Sequence, residues 1–323
     1  MVNMGIIGAG RIATFMGRTL NGIDCARPLA IASRDIDRAR AFAEEYGFER
    51  AYGSYEELLN DPEVTLVYIA TPHSHHYDHI KMCLEHGKHV LCEKAFTVNE
   101  RQAREVIALA EEKKLLLAEA IWTRYLPMRK VLEDVIASNV VGKPQMLTAN
   151  LGYLISWKDR ITKPELAGGA LLDVGVYTLN FASMAFGDDI AQITGTAVLN
   201  ENGVDLQNSI TLVYKDGKMA VLNSSALGLS DRRGIIYCDN GYIETENVNN
   251  CEGIRVYDKD RRLIAAYEKP QQITGYEYEV EACVQAIEKG EIQCPQMPHE
   301  EILRMMSWMD ELRRQWGIVY PME

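Results

Sequence analysis

The sequence predicts an N-terminal doubly wound α/β domain on a parallel sheet, followed by an α+β domain on a mainly antiparallel sheet. Three observations point there. Short apolar runs alternate with helical patterns through residues 1–120, a G-x-G-x-x-A stands at the first strand-to-helix junction, and beyond about residue 140 longer strand-like stretches are parted by turns such as KDG and DNG. At 323 residues the chain is long for one core and suits two. The boundary is expected between 121 and 122, giving domains 1–121 and 122–323, with the closing helices free to pack back on the first domain.

Taken in order, VNMGIIG (2–8), LAIAS (29–33), TLVYIA (65–70), KHVLCE (88–93) and LLLAEA (115–120) read as strands, each short, apolar and bounded by turn residues. Such nearly continuous apolar runs suit a parallel sheet covered on both faces. Between them Arg11–Asn21, Asp35–Tyr46, Ser54–Leu59, His75–His86 and Glu100–Lys113 carry apolar residues at helical spacing. In the second half GKPQMLTANLGY, AQITGTAVLN, NSITLVY, KMAVLNSSAL, RGIIYCD, GYIETEN and GIRVYD read as strands of one antiparallel sheet. One helix interrupts them within 171–186, and two more, Tyr276–Lys289 and His299–Trp316, close the chain.

Composition narrows the partners. With 34 basic against 46 acidic residues the net charge is −12, and no basic patch gathers, so nucleic acid is not expected as a partner. No run of roughly 18 apolar residues suggests a membrane span. The start MVNMGIIGAG lacks the marks of a secretory signal, so a cytoplasmic protein is expected. The seven cysteines form no Cys-x-x-Cys pair and no cluster at zinc spacing, which predicts reduced and mostly buried thiols. His73, His75 and His76 lack convergent carboxylates or cysteines, and no metal is expected.

The strongest local signal is Gly8-Ala9-Gly10-Arg11-Ile12-Ala13, directly after the first strand and opening the first helix. Gly8 permits a tight turn, Gly10 lets the backbone approach a pyrophosphate, and the small Ala13 permits close helix packing while free N–H groups at the helix start face the phosphates. The end of the second strand selects the dinucleotide. An acidic residue there suits the ribose 2′-hydroxyl of NAD, whereas this chain has Ser33-Arg34 and, one turn later, Arg38. A hydroxyl and guanidinium groups bind a 2′-phosphate through charge-assisted hydrogen bonds, so NADP(H) is favoured with NAD(H) as an alternative. Asp35 and Asp37 stand against this, and Arg34 and Arg38 also admit a reading as surface charges on the next helix.

At the end of the fourth strand stands Thr71-Pro72-His73-Ser74-His75-His76, the fifth ends in Cys92-Glu93-Lys94-Ala95, and Trp122-Thr123-Arg124 and Gly168-Gly169-Ala170-Leu171-Leu172-Asp173-Val174-Gly175-Val176-Tyr177 follow. Strand ends of open α/β sheets are where ligands sit. In content and order these segments resemble the glucose-fructose oxidoreductase and inositol dehydrogenase family, Gfo/Idh/MocA, over essentially the whole chain. Within it the resemblance is greatest to the branch of dimeric dihydrodiol dehydrogenases and NADP-dependent xylose dehydrogenases, on Trp122-Thr123-Arg124, the basic Ser33-Arg34 and Tyr177 where many relatives have histidine.

The resemblance implies a Rossmann domain, an open-faced C-terminal sheet that forms homodimers, and a nicotinamide lying between the domains. It implies Lys94 and Tyr177 as the catalytic pair with Asp173 on the same helix face, and it adds Thr71, Pro72, His73, His76, Glu93 and Lys94 to the cofactor pocket. Trp122, Arg124 and Tyr177 are the candidates for substrate contact. The substrate class implied is a sugar, polyol or cyclic diol oxidised or reduced at a secondary carbon.

Residue types alone support the chemistry. Hydride transfer at a carbinol carbon needs a group that holds the oxygen and exchanges its proton. A free phenol titrates near pKa ~10, and a neighbouring lysine ammonium favours its phenolate form. Other readings stand beside these. Tyr177 on an apolar helix also suits a core tyrosine, Asp173 either caps its helix or binds substrate, Arg124 either pairs with a structural carboxylate or reaches a ligand, and Cys92 reads as packing. Two other functional classes fit the motifs: a nucleotide-sensing protein that has lost turnover, and redox-assisted elimination or hydrolysis of a glycoside with a retained cofactor. Ala95 replaces the family's usual proline, and a trans bond is expected after Lys94, since cis costs about 2.5–4 kcal/mol without proline.

Overall fold

In the computed structural model, which describes residues 1–323, β1 (Val2–Ile7) runs through the middle of a six-stranded parallel sheet. The chain continues through α1 (Arg11–Leu20), β2 (Ala26–Ala32), α2 (Ile36–Tyr46), β3 (Arg50–Tyr52), α3 (Tyr55–Leu59), β4 (Leu66–Ile69), α4 (His76–Glu85), β5 (His89–Glu93), α5 (Glu100–Lys113) and β6 (Leu117–Ala120). The strand order is β3-β2-β1-β4-β5-β6, so the winding reverses between β1 and β4. Ligands of doubly wound sheets bind at that reversal, outside the carboxyl ends of the strands. Met4, Ile6 and Ile7 of β1, Val67 to Ile69 of β4 and Val90 to Cys92 of β5 are all fully buried, as a sheet covered on both faces requires.

The helix starts around this sheet differ from one another in how they are capped. Asp35, Ser54 and Asn99 cap α2, α3 and α5 through their side chains, whereas Gly10 begins α1 and offers none. An uncapped start leaves N–H groups seeking an acceptor. β3 has no counterpart in the sequence reading, because three residues are too few to show a period.

The chain then enters a second region through α6 (Pro127–Ala137), β7 (Pro144–Gly152), the short α7 (Asp159–Thr162), a π-turn at Leu171–Gly175 and α8 (Val176–Phe186). Strands β8 (Ile190–Leu199), β9 (Asp205–Tyr214), β10 (Met219–Ser225), β11 (Gly234–Cys238), β12 (Gly241–Glu246), β13 (Gly253–Asp258) and β14 (Leu263–Glu268) follow, then α9 (Glu277–Lys289) and α10 (His299–Trp316). The eight-stranded sheet has the order β14-β13-β12-β11-β7-β10-β9-β8. Every pair is antiparallel except β7 with β10, so the sheet is mainly antiparallel, as expected. Sequence reading also passed over α6 and β14.

One face of this sheet is a core. Along β9, Asn208, Ile210, Leu212 and Tyr214 are buried while Gln207, Ser209, Thr211 and Val213 are half-buried, the period of two that a sheet with one packed face demands. α8 packs on β7 and β10, and its Leu179 and Phe181 are almost wholly enclosed. Each such side chain contributes about 1.5–3 kcal/mol. By internal packing the chain forms two units, Met1–Trp122 with Gln272–Arg304, and Thr123–Gln271 with Met305–Glu323. In the first, Glu277 at the start of α9 fixes the preceding loop by accepting from the N–H groups of Ile273 and Gly275 at 2.7 Å, and His299 bonds the Leu117 carbonyl at 2.9 Å.

Candidate active site

In the first unit, Gly8, Ser33, Thr71 and Lys94 follow directly or within two residues the carboxyl ends of β1, β2, β4 and β5. Gly8 has φ +97°, and a β-carbon there would lie 3.0 Å from the Thr71 methyl and 3.1 Å from the Ala70 carbonyl oxygen, so only glycine fits. Gly10 is different. A β-carbon there would meet only the Ala70 oxygen, at 3.9 Å, so protein packing does not require glycine at this point. The space beside Gly10 and the uncapped N–H groups of Arg11, Ile12 and Ala13 fit a pyrophosphate.

At the end of β2, Ser33 is buried and its Oγ accepts from the Asp35 N–H at 3.3 Å, while Arg34 and Arg38 are exposed and enter no ion pair. The two nearby acids are otherwise engaged. Asp35 caps α2 by accepting from the N–H groups of Asp37 and Arg38 at 3.0 and 3.2 Å, and Asp37 pairs with Arg40 at 3.3 Å. Burial pushes the Tyr55 phenol up while Arg34 and Arg38 pull it partly back, which places both cations within electrostatic reach of that ring. Tyr55 in turn meets His79 edge-on at 4.9 Å, and His79 Nδ1 bonds Thr71 Oγ1 at 2.9 Å. Sequence reading missed Tyr55 and His79, neither of which belongs to a motif.

Lys94 is half-buried just beyond β5. Its own N–H donates to Glu93 Oε2 at 3.2 Å, and Glu93 also accepts from the hydroxyl of the wholly buried Tyr68. The Lys94–Ala95 bond is cis, contrary to the expectation of a trans bond. That expectation weighed the local amide preference alone, whereas the segment is fixed from outside: Ala95 and Phe96 are fully buried, and the Ala95 carbonyl bonds His76 Nδ1 at 2.8 Å. His76 Nε2 lies 2.9 Å from the Thr71 carbonyl oxygen, so the ring stands between the β4 end and the β5 end, and its neutral form donates to one of the two carbonyls. Two carbonyls favour a charged ring, but burial is the larger influence and pulls His76 down to about 4. Pro72 precedes a 3₁₀ turn at His73–His75, in which His73 is buried. Cys92 is fully enclosed and burial pushes its thiol well up, as packing implies.

Trp122 stacks on Tyr276 at 4.7 Å, with Nε1 buried and without a partner. In the second unit Arg124 is 3% exposed, and it donates from Nε to Asn180 Oδ1 at 2.6 Å and from Nη2 to Ser183 Oγ at 3.0 Å. Both partners lie on α8, so Arg124 fixes the helix that carries Tyr177. Tyr177 is 8% exposed and Asp173 4%. Asp173 forms an ion pair with Arg160 of α7, a residue no motif flagged. The start of this helical stretch is held by Asp205 instead, whose Oδ2 accepts from the Leu171 N–H at 2.8 Å. Burial raises Asp205 to about 6. Gly169, at φ +123°, makes room for it, since a β-carbon there would stand 2.4 Å from Asp205 Oδ1.

A doubly wound domain with an uncapped glycine-rich helix start, joined to an α+β domain that carries an Asp173–Tyr177 helix, defines a dinucleotide-dependent oxidoreductase. The comparisons make the class specific. Residues 2–120 match the family described as "Oxidoreductase family, NAD-binding Rossmann fold" and residues 130–244 match the "GFO/IDH/MocA C-terminal domain". The chain is 34% identical to a trans-1,2-dihydrobenzene-1,2-diol dehydrogenase of Xenopus tropicalis, covering 98% of each, and 30% identical to the human protein of that name, covering 99% of this chain and 98% of the other. Among solved structures it is similar to a 3-ketoreductase of Actinomadura kijaniata in complex with NADP, with TM-score 0.86, 25% identity and 97% of each chain covered. The protein belongs to the GFO/IDH/MocA oxidoreductase family.

Proposed function

We propose that the protein is an NADP(H)-dependent oxidoreductase acting on a secondary alcohol or carbonyl of a cyclic diol, sugar or polyol. The observation that carries this reading is that Lys94 and Tyr177 occupy the motif positions in a chain similar end to end to dihydrodiol dehydrogenases. The bound nicotinamide supplies the hydride acceptor or donor. The motif positions give Tyr177 the role of holding the substrate oxygen and exchanging its proton, and Lys94 that of a hydrogen-bond donor to the substrate. Asp173, held by Arg160, and Arg124, held by Asn180 and Ser183, keep the tyrosine's helix in place. The unpaired Arg34 and Arg38, with Ser33, support NADP over NAD because a 2′-phosphate gives their charges the partner they lack.

The test is absorbance at the reduced-nicotinamide band with NADP+ and NAD+ in parallel, against pooled sugars, polyols and cyclic diols. Reduction that prefers NADP+ and collapses in Tyr177→Phe is the expected result. No reduction of either cofactor, in protein shown to bind NADPH, moves the reading to a sensing or retained-cofactor role.

A homodimer through the C-terminal sheet is part of the proposal. The face of that sheet turned from α8 carries Met146, Val198 and Met219 at 39%, 52% and 39% exposure beside the stacked Tyr242 and Tyr257, apolar surface that suits burial by a second copy. Light scattering at micromolar concentration is expected to give twice the chain mass, and a monomer mass rejects it.

A further inference from the structure

The turn that launches the Tyr177 helix is held by two side chains from distant parts of the chain. Leu171–Gly175 form a π-turn, a geometry that an α-helix does not adopt by default. Just before it Gly169 sits at φ +123°, where a β-carbon would collide with Asp205 Oδ1 and stand 3.5 Å from the Tyr320 hydroxyl. Asp205 Oδ2 accepts from the Leu171 N–H at 2.8 Å, and the Tyr320 hydroxyl donates to the Gly168 carbonyl at 2.6 Å. The two side chains thus grip the backbone on either side of Gly169.

Each grip is itself anchored. Asp205, at the start of β9, also accepts from Asn208 Nδ2 at 2.8 Å, and Asn208 Oδ1 accepts from Ser224 Oγ of β10 at 2.9 Å. Tyr320 lies in residues 317–323, which turn back from α10 at Gly317, φ +72°. The Arg313 guanidinium stands 4.8 Å from the centre of the Tyr320 ring and pairs with Asp310 and Glu323. Asp205, Asn208, Ser224, Arg313 and Tyr320 are all buried, and Asp205 Oδ1 has no hydrogen-bond partner. A buried carboxylate with an unpaired oxygen lowers stability, so packing alone does not explain an acid at this position.

We infer that Tyr320 and Asp205 are positioning residues for the reaction, a latch that sets the Gly168–Leu171 turn and through it the place of Tyr177. The inference rests on the dehydrogenase reading, in which Tyr177 holds the substrate oxygen. The far half of α8 is secured by other contacts: Arg124 holds Asn180 and Ser183, Leu179 and Phe181 are enclosed, and the Tyr214 hydroxyl donates to the Ala182 carbonyl at 3.4 Å. The first turns, with Asp173 and Tyr177, take their direction from the turn that the latch grips. Loss of the latch therefore shifts the reacting hydroxyl while the helix stays docked, and a small shift of a reacting group costs rate far more than stability.

The test compares Tyr320→Phe, which removes the hydroxyl and keeps the ring beside Arg313, with Tyr214→Phe, which removes a buried hydroxyl at the far end of the same helix. Asp205→Asn is the second latch variant, and either one alone carries the test if the other fails to fold. Each is assayed for kcat and KM with NADP+ and the alcohol oxidised fastest by the unaltered protein, for NADPH binding by fluorescence, and for Tm. Tyr320→Phe and Asp205→Asn are each expected to lower kcat about 10-fold or more with NADPH binding unchanged, and Tyr214→Phe to leave kcat within about twofold. A kcat within about twofold in either folded latch variant overturns the inference, and so does an equal loss in Tyr214→Phe, which marks a helix loosened as a whole. If no alcohol is oxidised, hydrogen exchange takes the place of kcat. Faster exchange confined to residues 169–177 in Tyr320→Phe keeps the latch while the dehydrogenase reading falls, and exchange unchanged, or faster along all of 169–186, overturns the latch.

Discussion

At the end of β2 the charged groups are exposed and two cations have no partner, whereas around α8 Arg124 and Asp173 are buried and each is held by a side chain built into the fold. Arg34 and Arg38 stand free in solvent, while Arg124 is enclosed on Asn180 and Ser183, and Asp173 on Arg160. The difference follows from desolvation. An exposed cation costs little while it waits for a dianion, but a buried charge left unpaired costs several kcal/mol, so its partner has to be built into the resting fold. The first arrangement gives affinity that responds to salt, and the second gives fixed geometry.

The largest effect expected is on the chemical step. Lys94→Ala is expected to lower kcat/KM by about 10²–10⁴-fold while NADPH binding, followed by fluorescence, changes by less than about tenfold. Equal loss of both would move Lys94 from chemistry to cofactor binding. Next, Arg34→Ala combined with Arg38→Ala is expected to weaken NADPH about 10–100-fold, leave NADH nearly as it was, and flatten the salt dependence of NADPH affinity. If NADH weakens in parallel, the exposed cations do not read the 2′-phosphate.

Acid should separate the two regions further. His76 and His79 are both pulled down to about 4 by burial, below the ordinary 6.5. Between those values the unfolded chain binds more protons, so stability is full above about pH 6.5 and falls as pH drops toward 4. A loss of about 5 °C or more in Tm between pH 7 and pH 5 is expected, with hydrogen exchange locating it in α4 and the neighbouring strand ends. Stability that rises over that interval contradicts the buried neutral imidazoles. The smallest effect belongs to Asp35→Ala, which removes the cap of α2 at a cost of about 1 kcal/mol. The same change deletes a carboxylate beside Arg34, so NADPH affinity is expected to rise slightly even as Tm falls.

Much of this was legible in the sequence, and the reason is local. β1, β4 and β5 are buried on both faces and announce themselves as continuous apolar runs, and Gly8 and Gly10 sit where a strand turns into a helix. Lys94 and Tyr177 stand out through motifs that are contiguous in the chain. What stayed hidden depends on residues far apart meeting in space: Arg160 with Asp173, Asp205 with Leu171, His79 with Thr71 and Tyr55. The geometry after Lys94 stayed hidden for the same cause, since His76 holds the Ala95 carbonyl from nineteen residues away.

The one parallel pair in the eight-stranded sheet also orders its assembly. β8-β9-β10 and β11-β12-β13-β14 are meanders whose neighbours follow each other along the chain, so each is a ribbon of local contacts that forms rapidly. β7 alone joins them, pairing with β10 on one side and β11 on the other, across a stretch that includes α8. It is a seam between two ribbons. Closing that seam is the non-local event of the domain, and it sets α8, with Tyr177 on it, against the sheet as the two ribbons become one.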